Sequence, residues 1–235
     1  MKPIIAIVLL LGSTLCAAAD RVMVMPARQP YYSEDGNASY QRLMREILRR
    51  SGDRISIDYY PPARSIQIFD QKMNACSPAA RKLAAGFLGY DVVDAGVAIN
   101  EFRIVIATLK SQPPMSSVES LNNRSIATIL GQALGVYGIP ISKMTIHYVA
   151  DIDQAVRLLE KGRVHAIVES AVNLLPYRNQ LNFDVDRPVF SIPQSIICHP
   201  GPESRAFLKR VGAAIESMHK DGSLKSLLGD YYLLD

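Results

Sequence analysis

Apolar and polar positions along the chain switch repeatedly between a period near two and a period near 3.6, so strands and helices are predicted to follow one another. The clearest instance runs from Thr145 to Ser170. β-Branched and apolar residues through Val149 predict a strand. Asp151 is placed to cap a helix in which Ile152, Ala155, Val156, Leu158 and Leu159 recur at helical spacing. Gly162 ends that helix, because it takes the left-handed conformation without a Cβ penalty. Val164 to Val168 suits a strand buried on both faces, and Glu169 stands at its carboxyl end. A strand, helix, strand unit thus carries a carboxylate at the rim where open α/β sheets hold ligands.

The same reading extends along the chain. Arg21 to Met25 is a short strand stopped by Pro26, and Pro30 to Gly36 is a polar turn holding Tyr31 and Tyr32. Asn37 or Ser39 can cap a helix from Tyr40 to Arg50, closed by Gly52. Ile55 to Tyr59 alternates as a strand. Pro61 and Pro62 open a helix through Met73 that carries Arg64, and Asn74 to Cys76 is a further short strand. Residues 86–101 give no clear period. Phe102 to Leu109 is an apolar β-rich run, and Arg124 to Leu130 is a buried strand followed by Gly131, Gln132 and a short helix. Ser195 to Cys198 is a strand, Glu203 to Met218 a long amphipathic helix, and a short helix restarts at Asp221 to Ser223. No internal repeat or low-complexity tract interrupts this order.

Composition narrows the chemistry. Lys2, the apolar run Ile4 to Leu11 and Ala17 to Ala19 form a secretory signal peptide over residues 1–19, too short in its apolar part to anchor in a bilayer. The mature chain is expected to be soluble outside the cytosol, where the even pair Cys76 and Cys198 allows a disulfide or two buried thiols. The net charge of +4 is mild and Lys and Arg are scattered, which gives no case for nucleic acid. His147, His165, His199 and His219 lack metal-ligand spacing, and no nucleophile elbow or dinucleotide fingerprint is present, so no metal, cofactor or catalytic set is expected.

The run Leu159-x-x-Gly162-Arg163-Val164-x-Ala166-Ile167-Val168-Glu169 resembles the second lobe of periplasmic solute-binding proteins of the polar amino-acid family. Pro30-Tyr31-Tyr32, Ser120 to Ile126 before a strand and Gly131, and His219 to Leu224 with Tyr231 agree in order, so the resemblance covers roughly residues 22–232. It implies a periplasmic-binding-protein-like type II fold: two α/β lobes joined by two crossover strands, with a ligand cleft between them. Residues 20–102 and 191–235 would form a discontinuous first lobe and residues 103–190 the second. Cys76 and Cys198 would both lie in the first lobe, on or beside neighbouring strands, where a disulfide is expected.

The resemblance also assigns roles. Tyr31 or Tyr32 would stack on the ligand, and Arg81 stands near the family's carboxylate-gripping Arg, although the usual Thr-x-x-Arg is absent. A guanidinium matches a carboxylate with two parallel donors, and Arg64 or Arg103 would serve if Arg81 does not. The turn at Gly131 and Gln132 would meet the acid from the opposite side. Glu169 replaces an Asp that pairs with a ligand ammonium, with Asn173 and Tyr177 further along the same wall, while His165 takes the place of another Asp. The expected function is capture of a small polar solute by a monomer that then engages an ABC-transporter permease or a membrane sensor. The alternatives are a cleft enzyme resembling cyclohexadienyl dehydratases, with Glu169 as acid or base, and a degenerate member acting through protein contacts alone.

Overall fold

The computed structural model describes residues 21–234, so the signal peptide expected over residues 1–19 lies outside the described residues. Along the chain come β1 (Val22–Pro26), α1 (Ser39–Ser51), β2 (Ser56–Tyr60), α2 (Pro62–Gln71), β3 (Ala75–Ala79), α3 (Arg81–Leu88), β4 (Val93–Asp94) and β5 (Asn100–Leu109). There follow β6 (Ser125–Ile129), β7 (Thr145–Val149), α4 (Ile152–Glu160), β8 (Ala166–Ser170), α5 (Ala171–Leu174), β9 (Leu181–Asn182), β10 (Phe190–Cys198), α6 (Pro202–Lys220) and α7 (Ser223–Leu228).

The main sheet order is β2, β1, β3, β10, β5, β8, β6, β7. β1 pairs in parallel with β2 and β3, and β6 pairs in parallel with β7 and β8. Between these two parallel sets lie β10 and β5, antiparallel to each other and to their outer neighbours. The first half of β10 pairs with the first half of β5, after which each strand departs into a different set. They are the two crossovers.

Each parallel set carries apolar cover on both faces, as the near-continuous hydrophobic strands require. Met23 and Met25 pack with α1 and α6, while Val22 and Val24 face the opposite way toward Phe69 of α2. In the second lobe Val105 and Ile167 join the core beneath α4, while Ile104, Ile106 and Val168 pack on the other side.

Several local expectations change. The N-cap of α1 is Ala38, not Asn37 or Ser39; the Ser33 hydroxyl and the Gln41 side chain accept its N–H, so local side chains supply what a polar cap would. The segment after Gly131 enters a single 3-10 turn, Leu134–Tyr137. Residues 86–101 hold the end of α3 and the two-residue β4, elements too short to show a period. His165 is exposed, and its Nδ1 accepts the Ser125 N–H at 3.2 Å. No helix among the described residues is long and apolar enough to cross a membrane.

Cys76 and Cys198 form the expected disulfide, facing each other in register across β3 and β10. Close to it, α6 crosses the β4 segment at Gly212, where an added Cβ would meet the Ala95 carbonyl oxygen at 2.6 Å. That oxygen is backbone and cannot swing aside. Gly212→Ala is therefore expected to lose about 1–3 kcal/mol by overpacking, even though alanine is the better helix former. Denaturant unfolding checks this, and an increase in stability would show that α6 shifts freely.

The chain end makes a third link between the lobes. Asn100 on β5 donates to the Tyr231 carbonyl at 2.7 Å and accepts the Leu233 N–H at 2.8 Å. Leu233 is buried in the second-lobe core, whereas Tyr232 and Leu234 pack on the first. Arg178, beyond α5, pairs with Asp230 at 2.6 Å.

Candidate functional site

A cavity of about 240 Å³ opens where the two lobes meet, at the small end of sites for small molecules. Its first-lobe wall comes from the loop after β1, the start of α2, the end of β3 and the inner side of α3. Its second-lobe wall comes from the turn Ile129 to Gln132 and from Tyr137, with Phe102 of the crossover strand β5 beside them. Most of these groups are apolar.

Among the described residues, Arg28 is the one charged residue in that lining. The sequence reading passed over it. A tight turn after β1 holds it, in which its carbonyl accepts the N–H groups of Tyr31 and Tyr32, both at 2.8 Å. Its Nε is buried with no hydrogen-bond partner, and among the described residues its guanidinium makes no ion pair. The available signal was position: a guanidinium just beyond the carboxyl end of a strand in an open sheet.

Tyr31 lines the cavity beside Arg28 and is buried, its ring 4.4 Å from that of Tyr40. Burial pushes its phenol pKa up. Tyr32 turns away and packs on Tyr59 at 4.9 Å, outside the lining. Behind Tyr31 the Tyr40 hydroxyl donates to Gln194, itself a lining residue, at 3.0 Å and accepts from Asn100 at 2.8 Å. One wall of the cavity is thereby tied to both crossover strands.

The opposite wall is built on Glu169. The last residues of β8 bury its carboxylate completely, on the strand face shared with Ile167. Its Oε1 accepts from the Gln132 amide at 2.6 Å, the Asn173 amide at 2.8 Å and its neighbour's Ser170 N–H at 2.9 Å. Its Oε2 accepts the Ile129 N–H at 3.3 Å. The Gln132 carbonyl oxygen in turn accepts the Tyr137 hydroxyl at 2.8 Å. Gly131, with φ of +97°, makes the sharp turn that brings Gln132 back over the strand ends. Gln132 and Gly131 line the cavity, while Glu169 is outside the lining and accepts the Gln132 amide.

The other arginines fall elsewhere. Arg81 starts α3 at the surface and pairs with Asp91 at 2.8 Å, which lowers the Asp91 carboxyl pKa. Arg64 is exposed on α2, and its neighbours Ala63 and Ser65 reach the lining in its place. Arg103 is buried against Glu101 and Asp186 beside the crossover. Asn173 serves Glu169. The Tyr177 hydroxyl donates to Asp153 at 2.7 Å, and burial followed by that carboxylate pushes its pKa to about 12. Among the described residues no group of acidic, His or Cys side chains could hold a metal ion.

No family model matches the chain, and no curated protein matches it by sequence. Solved structures do match. The GluR0 ligand-binding core from Nostoc punctiforme in complex with L-glutamate is 16% identical over 91% of this chain and 100% of its own, with a TM-score of 0.71. The ancestral amino acid-binding protein AncCDT-1, a precursor of cyclohexadienyl dehydratase, is 16% identical over 91% of this chain and 94% of its own, with a TM-score of 0.70. A substrate-binding protein of an amino acid ABC transporter is 16% identical over 92% of this chain and 100% of its own, with a TM-score of 0.67. Together with the paired crossovers and the cavity between two parallel sets of strands, these likenesses identify the chain's architecture as the two-lobed, periplasmic-binding-protein-like type II fold.

Proposed function

We propose that the protein is a periplasmic solute receptor that captures a small molecule by closing its two lobes and then engages an ABC permease or a membrane sensor. The observation that carries this reading is the cavity itself: both lobes contribute walls, and β5, β10 and residues 231–233 join those lobes beside it. Rotation about such links is a hinge closure that sequesters a ligand and changes the outer surface a partner sees. Residues 20–102 with 191–235 are taken as one moving body and 103–190 as the other. Tyr31, Gly131 and Gln132 are the expected residues that contact the solute. A dehydratase reading draws no support from Glu169, whose oxygens already accept four bonds inside the chain.

A thermal-shift screen of residues 20–235 against amino acids, organic acids, polyamines and sugars tests the reading. A ligand at 100 times its dissociation constant adds about 2.7 kcal/mol. For a chain of this size that is roughly 5–11 °C in Tm. One chemical class is expected to give such a shift. A flat response to every class would remove the receptor reading and direct attention to protein partners.

A further inference from the structure

We propose that the solute is a small monocarboxylate with an apolar body and no cationic group, held by Arg28. The inference rests on the receptor reading above and specifies its ligand.

The charge pattern of the cavity carries the argument. Arg28 brings a guanidinium into the lining, with a buried Nε that nothing among the described residues satisfies. A buried donor without a partner costs free energy until an acceptor arrives, and a carboxylate matches the guanidinium fork with two parallel bonds. Around it the walls are formed by groups such as Phe69, Leu83, Phe87, Phe102 and Leu130, which offer a ligand apolar contact and no charge. Phe87 and Leu130 are 43% and 66% exposed, so both lobes present bare apolar surface at the mouth. Such surface gains from burial against an apolar body when the lobes close.

An ammonium has no matching place. A buried cation needs a counter-charge, and no carboxylate belongs to the lining. Glu169, which accepts the amide of the lining residue Gln132, is committed to Gln132, Asn173 and two backbone N–H groups. Arg28 would also repel a second positive charge. An α-amino acid therefore binds less well here than the acid with the same side chain and no amine.

Calorimetric titration of residues 20–235 with 3-phenylpropanoate, 4-methylpentanoate, 3-phenylpropanamide, L-phenylalanine, L-leucine and L-arginine tests the proposal. One or both carboxylates are expected to bind at least ~100-fold more tightly than the amide and than the amino acids. Arg28→Met should weaken the acid by ~100-fold and Arg28→Lys by ~10-fold, because lysine keeps the charge and loses the fork. Among the described residues the Arg28 side chain makes no ion pair and its Nε has no partner, so both variants should melt within a few degrees of the parent, and circular dichroism verifies that they are folded. Tighter binding of an amino acid than of its deaminated acid would overturn the ligand class while leaving the receptor reading intact. Unchanged acid affinity in Arg28→Met would overturn the role of Arg28. If no compound binds and the wider screen is flat as well, both the ligand class and the receptor reading fall.

Discussion

Replacing Cys76 and Cys198 together by alanine is expected to lower stability by about 4–5 kcal/mol, the largest effect of any substitution considered. The two cysteines are 122 residues apart, and cross-linking so long a loop removes much of the freedom of the unfolded chain. In the folded state the pair already sits in register between β3 and β10, both buried, so two alanines leave the strand pairing in place. Against a total stability of about 5–15 kcal/mol for a domain, the loss would leave the first lobe marginal. Calorimetry should show Tm lower by roughly 10–20 °C, and addition of reductant to the parent should move its transition by a similar amount. A change of less than about 3 °C would show that the unfolded chain is held compact by other means.

Glu169→Ala comes next, with an expected loss of about 3–5 kcal/mol, or ~10 °C in Tm. The substitution removes the acceptor of four donors, all inside the second lobe, and leaves the Gln132 and Asn173 amides and two backbone N–H groups without partners. Glu169→Gln is the sharper test. It keeps the volume, but its amide nitrogen is a donor set among donors, so it should also destabilise, by about 1–3 kcal/mol. A carboxylate waiting for a ligand ammonium would behave in the opposite way, since the neutral isostere would leave the empty protein as stable as before or more so. Urea unfolding of the three proteins separates these outcomes. If Glu169→Gln is neutral without ligand and loses only binding, the carboxylate faces the cleft in solution.

Glu169 also shows where reading from sequence stops. Its place at the end of a buried strand follows from apolar runs and a glycine stop, signals local in the chain, and β8 lies within two residues of where they put it. The fate of its oxygens depends on Gln132, 37 residues away, and on a backbone N–H at Ile129, and no local pattern records such pairings. Arg81 failed to reach the cleft for a similar reason. Its partner Asp91 lies beyond α3, a helix of eight residues without a polar cap that periodicity does not detect. Arg28 was missed because it stands alone in a loop between two prolines, with no repeat or partner to mark it. The cysteine pair was within reach because their parity and the resemblance agreed.

The chain end sets an order of assembly. Apart from Leu233, the buried core beneath α4 is drawn from residues 105 to 181, a continuous run that can condense as soon as it is synthesised. The first-lobe core needs residues as far as Leu228, so its opening strands wait for the closing helices. Only then do Tyr231 and Leu233 reach Asn100, and the last side chain to leave the ribosome's tunnel among these completes a core begun more than a hundred residues earlier. The second lobe is thus finished last although it can start first, and a nascent chain that stops before Leu233 would carry an unsealed pocket at that position.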